Sequence, residues 1–370
     1  MKFKTVQSIV LSTLLLSSLG FAGCKKENPT YKNVIIVIGD GMGLEHIEAG
    51  ELSLGQTFSF NSSSWAKTTA NTNSLTAAGS ERVTDSAAAA TALASGNLTL
   101  NKYVGKNIDG KDVETILDYA SSLNKSTGIV TTDTLYGATP AGFSAHALNR
   151  NDSFTILSTQ LESGVDLLCG TTDDKCLALE SSAEEKGYTF CTTVEQAKAS
   201  MASDKVYWQL GLAGATPSVA LKDATVDALN YLNQDEDGFV LMVEQAHIDK
   251  YSHNNDFDGM IKCAYSINET VKGIIEWLGD SEDTLVLVTA DHETGGLSVE
   301  KEQLTNRFTP FAAKDQSTFY YKWSKTDHTD SYVGLFIYNK DFNFSKYLLE
   351  NDKSAIKNAT TYQIMKDSLK

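Results

Sequence analysis

The sequence predicts an α/β fold: a three-layer sandwich with a mostly parallel central sheet and helices on both faces. Three observations predict it. Six short runs at 34–38, 128–132, 165–169, 239–243, 284–289 and 333–338 are apolar, rich in β-branched residues and too brief for helices. Helix-like stretches at 112–123, 153–163, 218–232 and 256–278 lie between them. The runs do not alternate polar with apolar, as strands with one wet face would, so both faces of the sheet must be covered. In such sheets ligands bind beyond the carboxyl ends of the strands.

At 370 residues, with 41% apolar and 21% charged, the chain is long enough for one large α/β domain and too apolar to be disordered. Its 31 basic and 47 acidic residues give a net charge of −16, so no nucleic-acid-binding surface is expected. A small anionic substrate would be repelled too, unless bound cations inverted the local potential.

The N-terminus reads as a targeting segment. Lys2 and Lys4 precede an apolar and serine-rich run at 9–22, too short for a comfortable membrane span, which stops at Phe21-Ala22-Gly23-Cys24. A small residue just before a cysteine resembles a bacterial lipoprotein signal. Residues 1–23 are then the signal, Cys24 carries the lipid that anchors the chain to a membrane, 24–32 form a short tether and 33–370 a single domain. A plain secretory signal or a short anchor helix is the alternative. Either way the chain is exported to the cell envelope, facing the periplasm or the outside. Cys169, Cys176, Cys191 and Cys263 permit two disulfides there, and Cys169 with Cys176 could close a short loop.

The strand ends carry the chemistry. Run 34–38 leads into Gly39-Asp40-Gly41, run 239–243 ends at Glu244, and run 284–289 ends at Asp291-His292-Glu293-Thr294-Gly295-Gly296. Run 128–132 is followed by Asp133 and then Thr139. One acid after a strand is an ordinary turn residue. Three strand ends bearing Asp, Glu and Asp-His converge mutually repelling carboxylates, and metal binding is the natural reason. Asp249 and His253 are four apart, so a helical turn puts them on one face, and His328 is a candidate third ligand. His46, His146 and His247 have no comparable setting.

Ser86 opens an alanine-rich helix-forming run that closes at Gly96, with Thr84 or Asp85 as N-cap. A serine at a helix N-terminus sits where backbone N–H groups favour an anion, and beside a dication it becomes a competent nucleophile.

Taken together, Gly39-Asp40-Gly41-Met42-Gly43, Thr84-Asp85-Ser86-Ala87-Ala88, Ala138-Thr139-Pro140-Ala141, Glu244 through Asp249 to His253, 289–296 and His328-Thr329 resemble, in order, the motifs of bacterial alkaline phosphatases. The resemblance runs from about Asn33 to the C-terminus. It implies an alkaline phosphatase-like fold and hydrolysis of small phosphate monoesters, over a broad range, through a phosphorylated Ser86. It implies two zinc ions, one held by Asp249, His253 and His328, the other by Asp40, Asp291 and His292 beside Ser86. It implies a magnesium ion at Asp40, Thr139 and Glu244, a set of oxygens suited to a hard cation. Arg150, eleven residues after Thr139, falls at the family's interval for the phosphate-gripping arginine, with Asp85 and Lys250 supporting the phosphate site.

The chain departs from the family at Gly137, where an Asp or His usually stands two residues before the magnesium threonine, so a looser third site is expected. Asp133 is the candidate substitute. The interval 152–217 and the stretch after Gly296 hold no large insertion, so an extensive crown over the site is not expected, and a homodimer is possible without being required. Two competing readings remain: a phosphodiesterase or sulfatase of the same superfamily, and a non-catalytic surface lipoprotein that binds a metal or a partner.

Overall fold

A computed structural model of the chain describes residues 27–201, 205–212, 220–305 and 307–370. Cys24 and the signal at 1–23 lie outside them. Among the described residues, no helix is long and apolar enough to cross a membrane.

The molecule is built on a ten-stranded sheet. Its order is Ala355–Lys357, Ala66–Asn71, Val333–Ile337, Thr284–Thr289, Asn33–Gly39, Phe239–Gln245, Ser126–Thr134, Leu167–Thr172, Lys205–Leu212, Tyr188–Cys191. Every neighbouring pair is parallel except the two made by Val333–Ile337, which runs against both its neighbours. Asn33–Gly39 is buried along its whole length, as are Phe239–Gln245 and Thr284–Thr289, because helices cover both faces. The 22-residue helix Phe257–Leu278, capped by Asp256, packs its apolar stripe of Ile261, Ala264, Ile267, Val271 and Ile274 into the core.

All six strands read from the sequence exist; Thr284–Thr289 keeps its bounds and the other five have shifted ends. The run at 165–169 begins as a strand only at Leu167, where the Asp166 carboxylate accepts from Thr127 N–H at 2.8 Å, and continues to Thr172. The helix expected over 112–123 starts at Ile116, because Thr115 and Asp118 form a reciprocal capping box. The helix expected over 218–232 starts at Leu221, its first two residues lying outside the described set. Between Thr84 and Asp85, Asp85 is the N-cap of Ser86–Ser95: its side chain accepts from Ala88 N–H at 3.0 Å.

Sequence reading missed four strands of the central sheet, Ala66–Asn71, Tyr188–Cys191, Lys205–Leu212 and Ala355–Lys357, and the small sheet of Ser298–Glu300, Thr318–Lys322 and Thr309–Ala312 that follows Gly296. It also erred on the cysteines. Cys169 and Cys176 are buried thiols, not a disulfide. Cys169 pairs in register with Trp208, whereas Cys176 lies near enough to Tyr207 for the two groups to act on each other, and the Tyr207 side chain leaves the sheet on the opposite face. The sheet itself separates the two sulfurs.

Candidate metal centre and nucleophile

Strand register assembles the site. Ile38 pairs with both Thr289 and Glu244, and Glu244 pairs with Thr131, so four strand ends finish at one level. Asp40, Asp291, His292 and Glu244 therefore open onto one crevice. Gly41 then ties it together: its N–H donates to Asp291 Oδ1 at 3.1 Å, while Asp249 N–H donates to the Asp40 carbonyl at 2.8 Å. Gly41 has a φ of +77°, and a Cβ there would stand 2.7 Å from Asp249 Cα. Only glycine allows both the conformation and the approach.

Two groups of ligand atoms result. Asp249, His253 and His328 form one, and Asp40, Asp291 and His292 the other, each with its donor atoms within 4.8 Å of one another. Asp249 Oδ1 lies 3.2 Å from His253 Nε2 and 3.4 Å from His328 Nε2. His292 Nε2 lies 3.2 Å from Asp291 Oδ2 and 3.6 Å from Asp40 Oδ1. These six residues are those the sequence singled out.

Backbone carbonyls aim the imidazoles. His328 Nδ1–H donates to the Thr84 carbonyl at 2.9 Å and His253 Nδ1–H to the Thr326 carbonyl at 2.6 Å, which leaves each Nε2 lone pair for the cluster. Thr294 links the two groups: its hydroxyl donates to Asp249 Oδ1 at 2.6 Å and accepts from His292 Nδ1–H at 3.2 Å. Sequence reasoning gave Thr294 no role, since a threonine beside Gly295-Gly296 looks like turn chemistry. The carbonyls of Thr84 and Thr326 carry no side-chain signal at all.

The charges are held together under strain of their own. Burial pushes Asp40 far above the usual carboxylate range, with Asp291 and Asp249 adding to the rise. Burial, then Asp249, lifts Asp291 to about 7. Burial opposes charge on Asp249 too, yet the hydrogen bonds from His253 and His328 win and hold it well below the ordinary value. The same bond raises His253 to about 9, while burial and His328 drive His292 well down. Asp40 Oδ1 and Asp291 Oδ2 are buried with no hydrogen-bond partner. Orphaned carboxylate oxygens facing neutral imidazole nitrogens are a donor set that fits zinc.

Ser86 Oγ lies 3.1 Å from His292 Nε2, at the first turn of its helix. That helix packs against Ala138–Ser144, where a Cβ on Gly142 would meet Ala90 Cβ at 2.6 Å, so the missing side chain lets the two helices close up. Thr139 is thereby buried with a hydroxyl that has no partner within hydrogen-bond distance, yet it stands close enough to Glu244 to draw that carboxyl down. Burial, then Asp133, outweighs this and lifts Glu244 to about 8. Asp40, Thr139 and Glu244 supply only oxygens, which suits a harder cation.

Arg150 is set at the mouth. Its Nη1 reaches Asp85 Oδ2 at 3.4 Å, and its charge acts on both Asp40 and His292. Asp85 thus serves twice, capping the Ser86 helix through Oδ1 and steadying the arginine through Oδ2. Lys250 Nζ is engaged by Asp133 Oδ1 at 2.7 Å. His46, His146 and His247 belong to neither ligand group: they bond Ser252 Oγ, the Gly105 carbonyl and Thr132 Oγ1.

The strand ends thus gather two mixed nitrogen-oxygen ligand groups beside a helix-borne serine. The family model for alkaline phosphatase matches residues 31–169 and 155–367, and the chain belongs to that family. It is 33% identical over 297 residues to alkaline phosphatase 4 of Bacillus subtilis, covering 74% of this chain and 64% of the relative. It is 32% identical over 334 residues to alkaline phosphatase 3 of the same organism, covering 82% and 71%. The chain thus spans somewhat under two thirds of the first of these relatives. Among solved structures, the alkaline phosphatase of the Antarctic bacterium TAB5 superposes with a TM-score of 0.77 at 25% identity, over 92% of this chain and 98% of that one. A mutant of the TAB5 enzyme has Mg bound in its M3 site.

Proposed function

We propose that the protein hydrolyses phosphate monoesters through a phosphoserine on Ser86, with Arg150 gripping the phosphoryl group. One observation carries the reading: the Ser86 hydroxyl stands 3.1 Å from the His292 nitrogen that also faces Asp40 and Asp291, at a helix N-terminus. Asp249, His253 and His328 would hold one zinc ion, Asp40, Asp291 and His292 a second, and Asp40, Thr139 and Glu244 a magnesium ion. When bound, such dications supply Lewis-acid stabilisation of the attacking and departing oxygens.

The chain's own residues do the rest. Ser86 Oγ gives its proton to solvent and forms a bond to phosphorus as the bond to the ester oxygen breaks, and the departing alkoxide takes a proton from solvent. Water then attacks the same phosphorus on the side opposite Oγ, giving up a proton as the Oγ–P bond breaks, Ser86 Oγ regains a proton, and inorganic phosphate leaves. Arg150 offers a planar fork to two non-bridging oxygens, held in place by Asp85. Phosphoryl transfer needs mainly positioning and charge stabilisation, so contacts to the alcohol are dispensable and a broad substrate range follows. Export and anchoring through Cys24 belong to the same proposal and predict that Cys24→Ala releases the protein from membranes.

The test is hydrolysis of a nitrophenyl monoester against the bis-nitrophenyl diester by zinc- and magnesium-loaded protein. Preference for the monoester supports the reading. Preference for the diester points to the superfamily's phosphodiesterases, and turnover of neither to a binding protein.

A further inference from the structure

Gly137 brings no side chain to the place two residues before Thr139, but that place is not empty. A Cβ on Gly137 would lie 2.9 Å from Asp133 Oδ2, so the Asp133 carboxylate already fills the space. Two features of the backbone aim it there. The ladder between Ser126–Thr134 and Leu167–Thr172 loses register between Val130 and Thr134, a bulge of the kind that redirects a side chain at the end of a strand. On the neighbouring strand, a Cβ on Gly170 would meet the Asp133 carbonyl at 2.9 Å, so glycine there lets the bulged backbone approach.

The surroundings fit a role toward a cation. Asp133 Oδ1 accepts from Thr134 N–H at 2.8 Å and pairs with Lys250 Nζ at 2.7 Å. Asp133 N–H donates to Thr131 Oγ1 at 2.9 Å, and the same threonine hydroxyl donates to Glu244 Oε2. Next to these groups stands the Thr139 hydroxyl, 1% exposed as a residue and without a hydrogen-bond partner. A buried hydroxyl left over among carboxylates calls for a ligand.

We propose that Asp133 is a positioning residue for a magnesium ion at Asp40, Thr139 and Glu244, holding that ion's water molecules, and that Lys250 is its counter-charge. The inference rests on the third-cation reading above. Magnesium gives up its waters reluctantly, so carboxylates that bind those waters contribute to its affinity. The strand end supplies here what the residue at 137 cannot.

The experiment is magnesium titration by calorimetry of zinc-loaded wild type, Asp133→Asn, Lys250→Met and Glu244→Gln, with zinc content measured in each. Asparagine keeps the acceptor for Thr134 N–H, so the fold is retained, which circular dichroism checks. Asp133→Asn should weaken magnesium on the order of 10- to 100-fold with zinc unchanged. Lys250→Met should tighten it, because the carboxylate's charge then acts on the site unopposed. A merely structural ion pair would shift both variants the same way, and that result overturns the proposal. So does an Asp133→Asn protein that binds magnesium as wild type does while Glu244→Gln does not. Undiminished binding in Glu244→Gln instead refutes the third-cation reading itself, and this inference with it.

Discussion

Replacing Gly41 by alanine probes whether one turn holds both ligand groups in register. Alanine at a φ of +77° costs roughly 1–2 kcal/mol in left-handed backbone strain. Its Cβ would also lie 2.7 Å from Asp249 Cα and 2.8 Å from Asp249 Cβ. Carbon atoms pack comfortably at ~3.5–4.0 Å, so the Asp40 turn and the His247–His253 helix must part by about 1 Å. Overpacking of that kind adds ~1–3 kcal/mol, giving a total loss of roughly 2–5 kcal/mol by urea unfolding. The same movement separates Asp249 from Asp40, and a misplacement of about 1 Å lowers turnover on the order of 100-fold. Gly79→Ala is the control: its φ is +80° but a Cβ there meets nothing within 4 Å, so it should lose stability alone. A Gly41→Ala protein with wild-type turnover on a nitrophenyl monoester and an unchanged urea midpoint would refute the reasoning.

Ser86→Ala should abolish turnover while zinc content stays near that of wild type, because the other six side chains make up the ligand groups; elemental analysis checks it, and parallel loss of both would remove the nucleophile assignment. Thr294→Val removes the hydroxyl joining Asp249 to His292 and should weaken zinc ~10- to 100-fold in competition with a chromogenic chelator. The pH dependence of chelated protein follows from Glu244 at about 8 and His253 at about 9. Both folded values exceed the unfolded ones, so between pH 7 and 9 the folded chain keeps protons the unfolded chain has lost, and stability falls as pH rises. Glu244 alone gives a slope of roughly 1 kcal/mol per pH unit up to pH 8, whereas half-exposed His253 gives less. Bound cations replace those protons, so zinc-loaded protein should lack the decline; a chelated protein that gains stability from pH 7 to 9 would contradict the charge assignment.

The central strands and the ligands at their ends were legible because both signals are local. A run such as 284–289 is apolar throughout, and Asp291-His292 follows it at once. Element ends were less legible, since Asp166 and the Thr115–Asp118 box set them through side-chain bonds that compete with periodicity. The strand Ala66–Asn71 alternates weakly, and its strand character comes from pairing with Val333–Ile337 on one side and Ala355–Lys357 on the other. Cys169 and Cys176 looked bridgeable at seven residues' separation because sequence does not say which face of a sheet a side chain leaves from. The place of Asp133 was hidden for a related reason: a bulge and two glycines, not spacing, decide where its carboxylate goes.

Anomalous scattering at the zinc edge from crystals of the zinc-loaded protein tests the whole account most directly. Two peaks about 4 Å apart are expected, one among Asp249, His253 and His328 and one among Asp40, Asp291 and His292, with Ser86 Oγ beside the second. Zinc bound elsewhere on the chain, with both of these groups left without a peak, would contradict it.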